Sequence, residues 1–197
     1  MALSKIDAAN FLTGTIPQGN VANASLGAVT ALPAAIPTGI ILQVVSTTKT
    51  DTFSESISAR GVGGNVTGLA ATITPTSASS KLLVIASINT ARSGDSASAG
   101  FTFYRDGSAI LVGDSAGSRL SATVGHNHTS GATFQANSFM SGQVDASSTS
   151  STTFNIRLNN SGSSLTRTFY LNRTEDDTDA NDQTRNVSSI TVMEVSA

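Results

Sequence analysis

Hydrophobic positions follow two different rules along the chain, and the change comes near Gly39. Beyond it, apolar residues form short runs bounded by Gly, Ser, Thr and Asn, the spacing of β-strands rather than helices. Residues 40–45 (IILQVV) are β-branched, and residues 52–58 (TFSESIS) alternate imperfectly. Residues 81–88 (KLLVIASI) open as a continuous apolar run, which predicts a strand covered on both faces. Residues 101–105 (FTFYR) lead into Asp106-Gly107, a two-residue hairpin signal, and Ile110-Leu111-Val112 follows. Further strands are predicted over 133–144, 153–158, 168–172 and 190–195. Phe154-x-Ile156-x-Leu158 and Ile190-x-Val192 alternate cleanly, so one face of each is predicted to be wet. No window of a dozen residues sustains a 3.6 spacing with caps. The chain therefore reads as all-β, with residues 39–197 forming a jelly-roll-like β-sandwich of roughly eight to ten short strands.

Residues 1–38 obey the other rule. No charge occurs between Asp7 and Lys49, a neutral stretch of 41 residues. Leu12-x-x-x-Ile16-Pro17-x-Gly19 recurs as Leu32-x-x-x-Ile36-Pro37-x-Gly39. Proline fixes φ and forces its predecessor to be extended, so neither Ile-Pro pair sits inside a helix. Two copies fall short of the roughly three that a repeat architecture needs, and a linker with chance similarity is the competing reading. Either way, residues 1–38 read as an extended arm, with Leu12, Ile16, Pro17, Leu32, Ile36 and Pro37 as its contact residues. At ~3.3 Å per residue such an arm reaches on the order of 125 Å. Its apolar side chains cannot bury themselves, so the arm is expected to lie on another chain. A membrane span is not expected, because Pro33, Pro37, Gly39 and Gln43 interrupt the apolar stretch that a spanning helix requires.

Composition sharpens this picture. The 30 Ser and 26 Thr make up 28% of the 197 residues, while charged residues are only 12%, about half the ~25% usual for soluble domains. With 39% apolar residues and 17 Gly there is enough to build a core. The wet surface is therefore hydroxyl and amide rather than ionic. The 11 basic residues are scattered and the net charge is −2, so nucleic acid is not an expected partner. The absence of Cys excludes disulfides, thiolate nucleophiles and cysteine zinc sites. The start, MALSKIDAANFLTG, lacks the apolar core of a signal peptide. The Asn-x-Ser/Thr triplets therefore read as composition rather than as glycosylation sites. Aromatics at 5% leave a sandwich thinly packed, a deficit that trimeric association would offset by burying more surface per chain.

Three segments carry residue types associated with chemistry. Residues 113–117 (GDSAG) match the G-x-S-x-G nucleophile elbow. The elbow needs a helix behind it, and residues 118–123 offer none. No acidic residue lies between Ser115 and the histidines, so the order of a hydrolase triad is missing too. No catalytic residue is assigned. His126-Asn127-His128 would place two imidazoles on one face if it is a strand, and three chains meeting on an axis would offer six, enough for an octahedral metal. Two exposed loop histidines are the bland alternative. Residues 175–182 (EDDTDAND) concentrate five of the thirteen acids. Asp177-x-Asp179-x-Asn181 echoes the opening of an EF-hand loop, but Asp182 replaces the obligatory glycine and Ser188 the bidentate glutamate. Asp177, Asp179 and Asn181 stand as a looser calcium candidate against a solvated loop.

The opening LTGTIPQGNVANASLGAV resembles the N-terminal arm of tail-fibre-like virion structural proteins of marine bacteriophages, cyanophages among them. YRDGSAI with GDSAGSR, FYLNRTEDD and the closing SSITVMEVSA are similar to the β-domain of the same family. The resemblance implies a non-enzymatic virion component, made in the host cytoplasm. It implies a homotrimer that displays the sandwich outward for host attachment, on a glycan or a protein, and binds other virion proteins through the arm. Phage tail-fibre tips that hold an axial iron through H-x-H add a structural metal at His126 and His128 as an expectation. The alternative is a capsid decoration protein or head fibre clamped to the capsid by the arm.

Overall fold

The computed structural model describes residues 40–197 except 95, 96, 129–132 and 163. The predicted arm, with Leu12, Ile16, Pro17, Leu32, Ile36 and Pro37, lies outside the described residues. Among the described residues there are eleven strands and no helix, and hence none long and apolar enough to cross a membrane.

The first sheet contains β1 (Ile41–Lys49), β2 (Phe53–Ile57), β4 (Lys81–Arg92), β8 (Ala136–Asp145), β10 (Arg167–Leu171) and β11 (Ser188–Val195). The second contains β3 (Val62–Ile73), β5 (Ala97–Arg105), β6 (Ser108–Ile110), β7 (Val124–His128) and β9 (Thr152–Asn160). Every pairing is antiparallel. One edge of β4 is shared, with β11 along its first half and β10 along its second, while β8 takes the other edge. Outside these, β1 pairs β11 and β2 pairs β10. In the second sheet β9 lies between β3 and β5, and the far edge of β5 is divided between β7 and β6. Counting each broken pair as one ribbon gives four ribbons per sheet. The chain crosses from sheet to sheet at almost every step, which is the order of a jelly roll.

The alternation seen in sequence becomes the core. Leu82, Val84, Ala86 and Ile88 of β4 are fully buried, as are Ile190 and Val192 of β11. They meet Phe101 and Phe103 of β5 and Phe154, Ile156 and Leu158 of β9 in one cluster. Among the described residues four Phe are fully buried, so much of the small aromatic content is spent on the interior. The expectation that 81–88 would be covered on both faces is corrected: Leu83 and Ile85 are half-exposed on the outer face of the first sheet.

The breaks in the ribbons are stapled by buried asparagines. Asn172, in a left-handed conformation at φ 61° that asparagine tolerates well, donates from Nδ2 to Lys49 O and Asp51 O across the β1–β2 break. Its Oδ1 accepts from Ser188 Oγ at 2.6 Å, so it also joins the two ends of the 172–187 excursion. Asn160 does the same at the other end: Nδ2 lies within hydrogen-bond distance of Ile57 O, Ser58 O and Leu165 O, and Oδ1 accepts from Gly162 N. Replacing Asn160 with Ala is expected to cost about 3 kcal/mol, because several buried backbone groups lose their partner at about 1–3 kcal/mol each. Urea unfolding checks this, and a loss below about 0.5 kcal/mol would show that water satisfies those groups.

Candidate functional site

The histidine pair falls on a strand, not a loop: both residues belong to β7. The His126 ring stacks on Phe101 with centroids 5.2 Å apart, and its Nδ1 lies 2.8 Å from Ser138 Oγ of the opposite sheet. Burial holds the imidazole below the usual histidine value, so it is neutral at pH 7. The His128 side chain lies outside what is described. In the acidic segment, Asp177 is drawn into two ion pairs, with Arg185 at 2.7 Å and Arg173 at 3.6 Å. Asp179 and Asn181 are exposed. Among the described residues no three His, Asp or Glu side chains come together as a metal-binding group. Ser115 of the G-x-S-x-G match is exposed in the loop between β6 and β7, with no helix behind it.

A different feature gathers chemistry. On the divided edge of β5, the segment 111–123 leaves β6 and returns to β7, enclosing a hollow of about 550 Å3. Its start is strained: Leu111 has φ 54°, a conformation bulky residues rarely adopt. The side chain is accommodated because position 142 is glycine; a Cβ there would lie 2.6 Å from Leu111 Cδ1. Gly113 N then donates to Ala122 O, closing the segment on itself, and Thr123 N donates to Phe101 O, fastening its end to the sheet. The floor is built close, since a Cβ on Gly100 would come within 3.1 Å of Ala122 Cβ and 3.2 Å of Asn159 Cβ.

The walls are polar. Asp114, Ser121, His126 and Asn127 line the hollow at 111–127, and Ser98 and Ser161 close it from neighbouring strands. Ser98 Oγ donates to Asn127 Oδ1 at 2.7 Å, which turns the amide nitrogen of Asn127 away from that bond. A second hollow of about 350 Å3 shares Ser98, Arg119, Leu120 and Ser161 with the first and adds Arg60 and Ser118. The two are one continuous cleft. Arg60 N donates to Gly162 O and Ser161 N to Ser98 O, so the staple at Asn160 also sets the rim of the cleft.

Most described cations away from the cleft have a carboxylate or a ring beside them. Lys49, Lys81, Arg173 and Arg185 are ion-paired. Arg105 and Arg157 lie over the Phe154 and Tyr104 rings. Arg60 and Arg119 are exposed and make no ion pair among the described residues, yet they line the same hollow. Among the described residues the 350 Å3 end is lined by no carboxylate, whereas Asp114 stands on the 550 Å3 side. The cleft therefore has a cationic end and a hydrogen-bond-accepting end.

Motifs touched this cleft only within 111–127, through GDSAG and H-x-H, because its residues come from four separate stretches, near 60, 98, 111–127 and 161, that only the fold brings together. No protein-family model matches the chain, and no curated protein is significantly similar to it.

Proposed function

We propose that the chain is a non-enzymatic bacteriophage virion protein, the β-sandwich of a trimeric tail fibre or spike that attaches the particle to a host surface. The observation that carries this reading is the open polar cleft on the second sheet, where guanidinium, hydroxyl and amide groups converge. Ser98 and Asn127 stand on strands, and backbone hydrogen bonds tie the segment that carries Asp114 and Arg119 to itself and to the sheet, so part of the geometry is set before the ligand arrives, which lowers the cost of binding. The motif resemblances set out above supply the virion context, and the first 38 residues, neutral from position 8 onward, supply a segment suited to joining other virion subunits.

The reading is tested with the full chain. Light scattering should give three times the 20.0 kDa chain mass, and fluorescently labelled protein should adsorb to marine cyanobacterial cells and block phage adsorption. A monomeric mass would remove the trimer, and failure to adsorb to or protect any susceptible strain would remove the attachment role.

One observation favours the alternative of capsid decoration. In the first sheet, Val44, Met193 and Leu83 form one row on the outer face, with Ile85 beside them and Phe139 61% exposed on β8. This neutral apolar surface suits a protein that lies flat on a capsid shell. Decoration predicts that the chain binds purified capsids in many copies per particle and leaves phage adsorption unchanged.

A further inference from the structure

We infer that the cleft binds an acidic saccharide. Its Arg60–Arg119 end would take the carboxylate or sulfate ester, and its Asp114 end the ring hydroxyls. The assignment deepens the attachment reading and rests on it for the source of the ligand.

Three observations converge on this chemistry. First, the described lining of the cleft has no aromatic platform of the kind neutral sugars stack on: Tyr104 and Tyr170 lie under Arg157 and Arg173, and the one ring in that described lining, His126, is already stacked on Phe101. Recognition must therefore come from polar groups. Second, the two arginines make no ion pair among the described residues, where most cations have a carboxylate or a ring to lie on. A guanidinium presents its donors as a planar fork, matched to the two oxygens of a carboxylate or to a sulfate edge. Third, the polarity along the cleft is that of an acidic sugar, which carries one anionic group at one side of the ring and several hydroxyls at the other. Ser98, Ser118 and Ser161 add hydroxyls around the cationic end, and Asp114 and Asn127 offer an acceptor and an amide donor at the far end. A nucleic acid strand, the other common polyanion, is disfavoured by the lack of a base-stacking ring and by the single local pair of cations.

The test measures retention of the full chain on immobilised polygalacturonate, dextran sulfate and neutral dextran. The wild type is compared with Arg60→Gln, Arg119→Gln and, on the other sheet, Lys81→Gln. Polygalacturonate or dextran sulfate should retain the wild type and neutral dextran should not. Either arginine variant should weaken retention at least tenfold, and Lys81→Gln should stay within twofold. Retention on polygalacturonate alone assigns a uronic acid, and on dextran sulfate alone a sulfate ester. Retention on neither polyanion, equal retention on neutral dextran, or an equal loss from Lys81→Gln overturns the proposal. Cell adsorption measured with the same proteins separates the two readings. Cells that take up wild type and both arginine variants equally refute the cleft while attachment stands. Polyanion retention with the stated losses, but no adsorption to cells, supports the cleft and refutes attachment.

Discussion

Replacing Glu194 with Ala is expected to destabilise the sandwich by about 3 kcal/mol or more, since at least two buried donors would lose a charged acceptor. Glu194 is fully buried on the core-facing side of β11. Its carboxylate accepts from Gln43 Nε2 at 2.6 Å, from Thr76 N and Oγ1 at 2.8 Å, and from Ser77 N at 3.3 Å. Gln43 Nε2 also reaches Thr74 O at 2.7 Å, so one carboxylate closes the connection between β3 and β4 over the end of the core. Burial alone would raise the pKa of Glu194. Hydrogen bonds from Gln43 and Thr76 outweigh it and bring the value from 4.5 to about 2. A depressed folded-state pKa contributes stability that is complete above the unfolded value of 4.5 and is lost as pH falls toward about 2. Thermal unfolding of wild type and Glu194→Gln between pH 6 and pH 2.5 should therefore converge on acidification, because the variant has no such group to protonate. Asp51 and Asp106, which are also depressed by hydrogen bonds from Lys49 and Thr152 respectively, act equally in both proteins and cancel. Parallel curves across that window would show that Glu194 is not the acid-sensitive group.

Phe154→Ala is the second large effect, about 3–5 kcal/mol from lost transfer energy and the cavity left behind. That is a large share of the roughly 5–15 kcal/mol that holds an ordinary domain. Phe154 is fully buried on β9, opposite Ala71 of β3 and Arg105 of β5. The Arg105 guanidinium lies 5.7 Å over its ring and donates to Asp145 O, Ala146 O and Thr152 Oγ1. The ring thus supports the arginine that ties the end of β5 to the β8–β9 connection. Phe154→Leu keeps most of the volume and should lose less than half as much. The urea midpoint should fall in both variants with the slope unchanged. An Ala variant no less stable than the Leu variant would mean that the site collapses around the gap.

The architecture was legible where side chains alternate without interruption, as at Phe154, Ile156 and Leu158, and where a turn has a chemical signature. Asp106 and Gly107 adopt φ 48° and 86°, the left-handed pair that an Asp-Gly hairpin announces. The strand β3 was not legible. Its buried positions fall at Gly63, Val66, Leu69, Ala71 and Ile73, a spacing of three, three, two and two. The register shifts between Val62 and Asn65 and again between Asn65 and Ala70, so bulges erase the period of two that marks a strand. The glycines and small residues of VGGNVTGLAATI read as turn material for the same reason. Of the nominated site residues, His126 proved to be a half-buried ring packed on the core, and Asp177 a carboxylate held by two arginines. A short motif shows which groups are near one another in sequence, whereas the cleft depends on which strands are neighbours.

The pairing of β1 with β11 also governs how the molecule is made. Ile41 faces Val195 and Lys49 faces Ser188, so a central position of the first sheet is filled by the described strand farthest along the chain from β1. Until residue 195 clears the ribosome, β1 and the first half of β4 both present unpaired edges, and no cooperative closure of the sandwich can occur. Such distant pairings pay their loop-closure entropy before any reward, which makes folding slow and leaves sticky edges exposed meanwhile. A translating ribosome therefore carries this domain open until β11 has emerged.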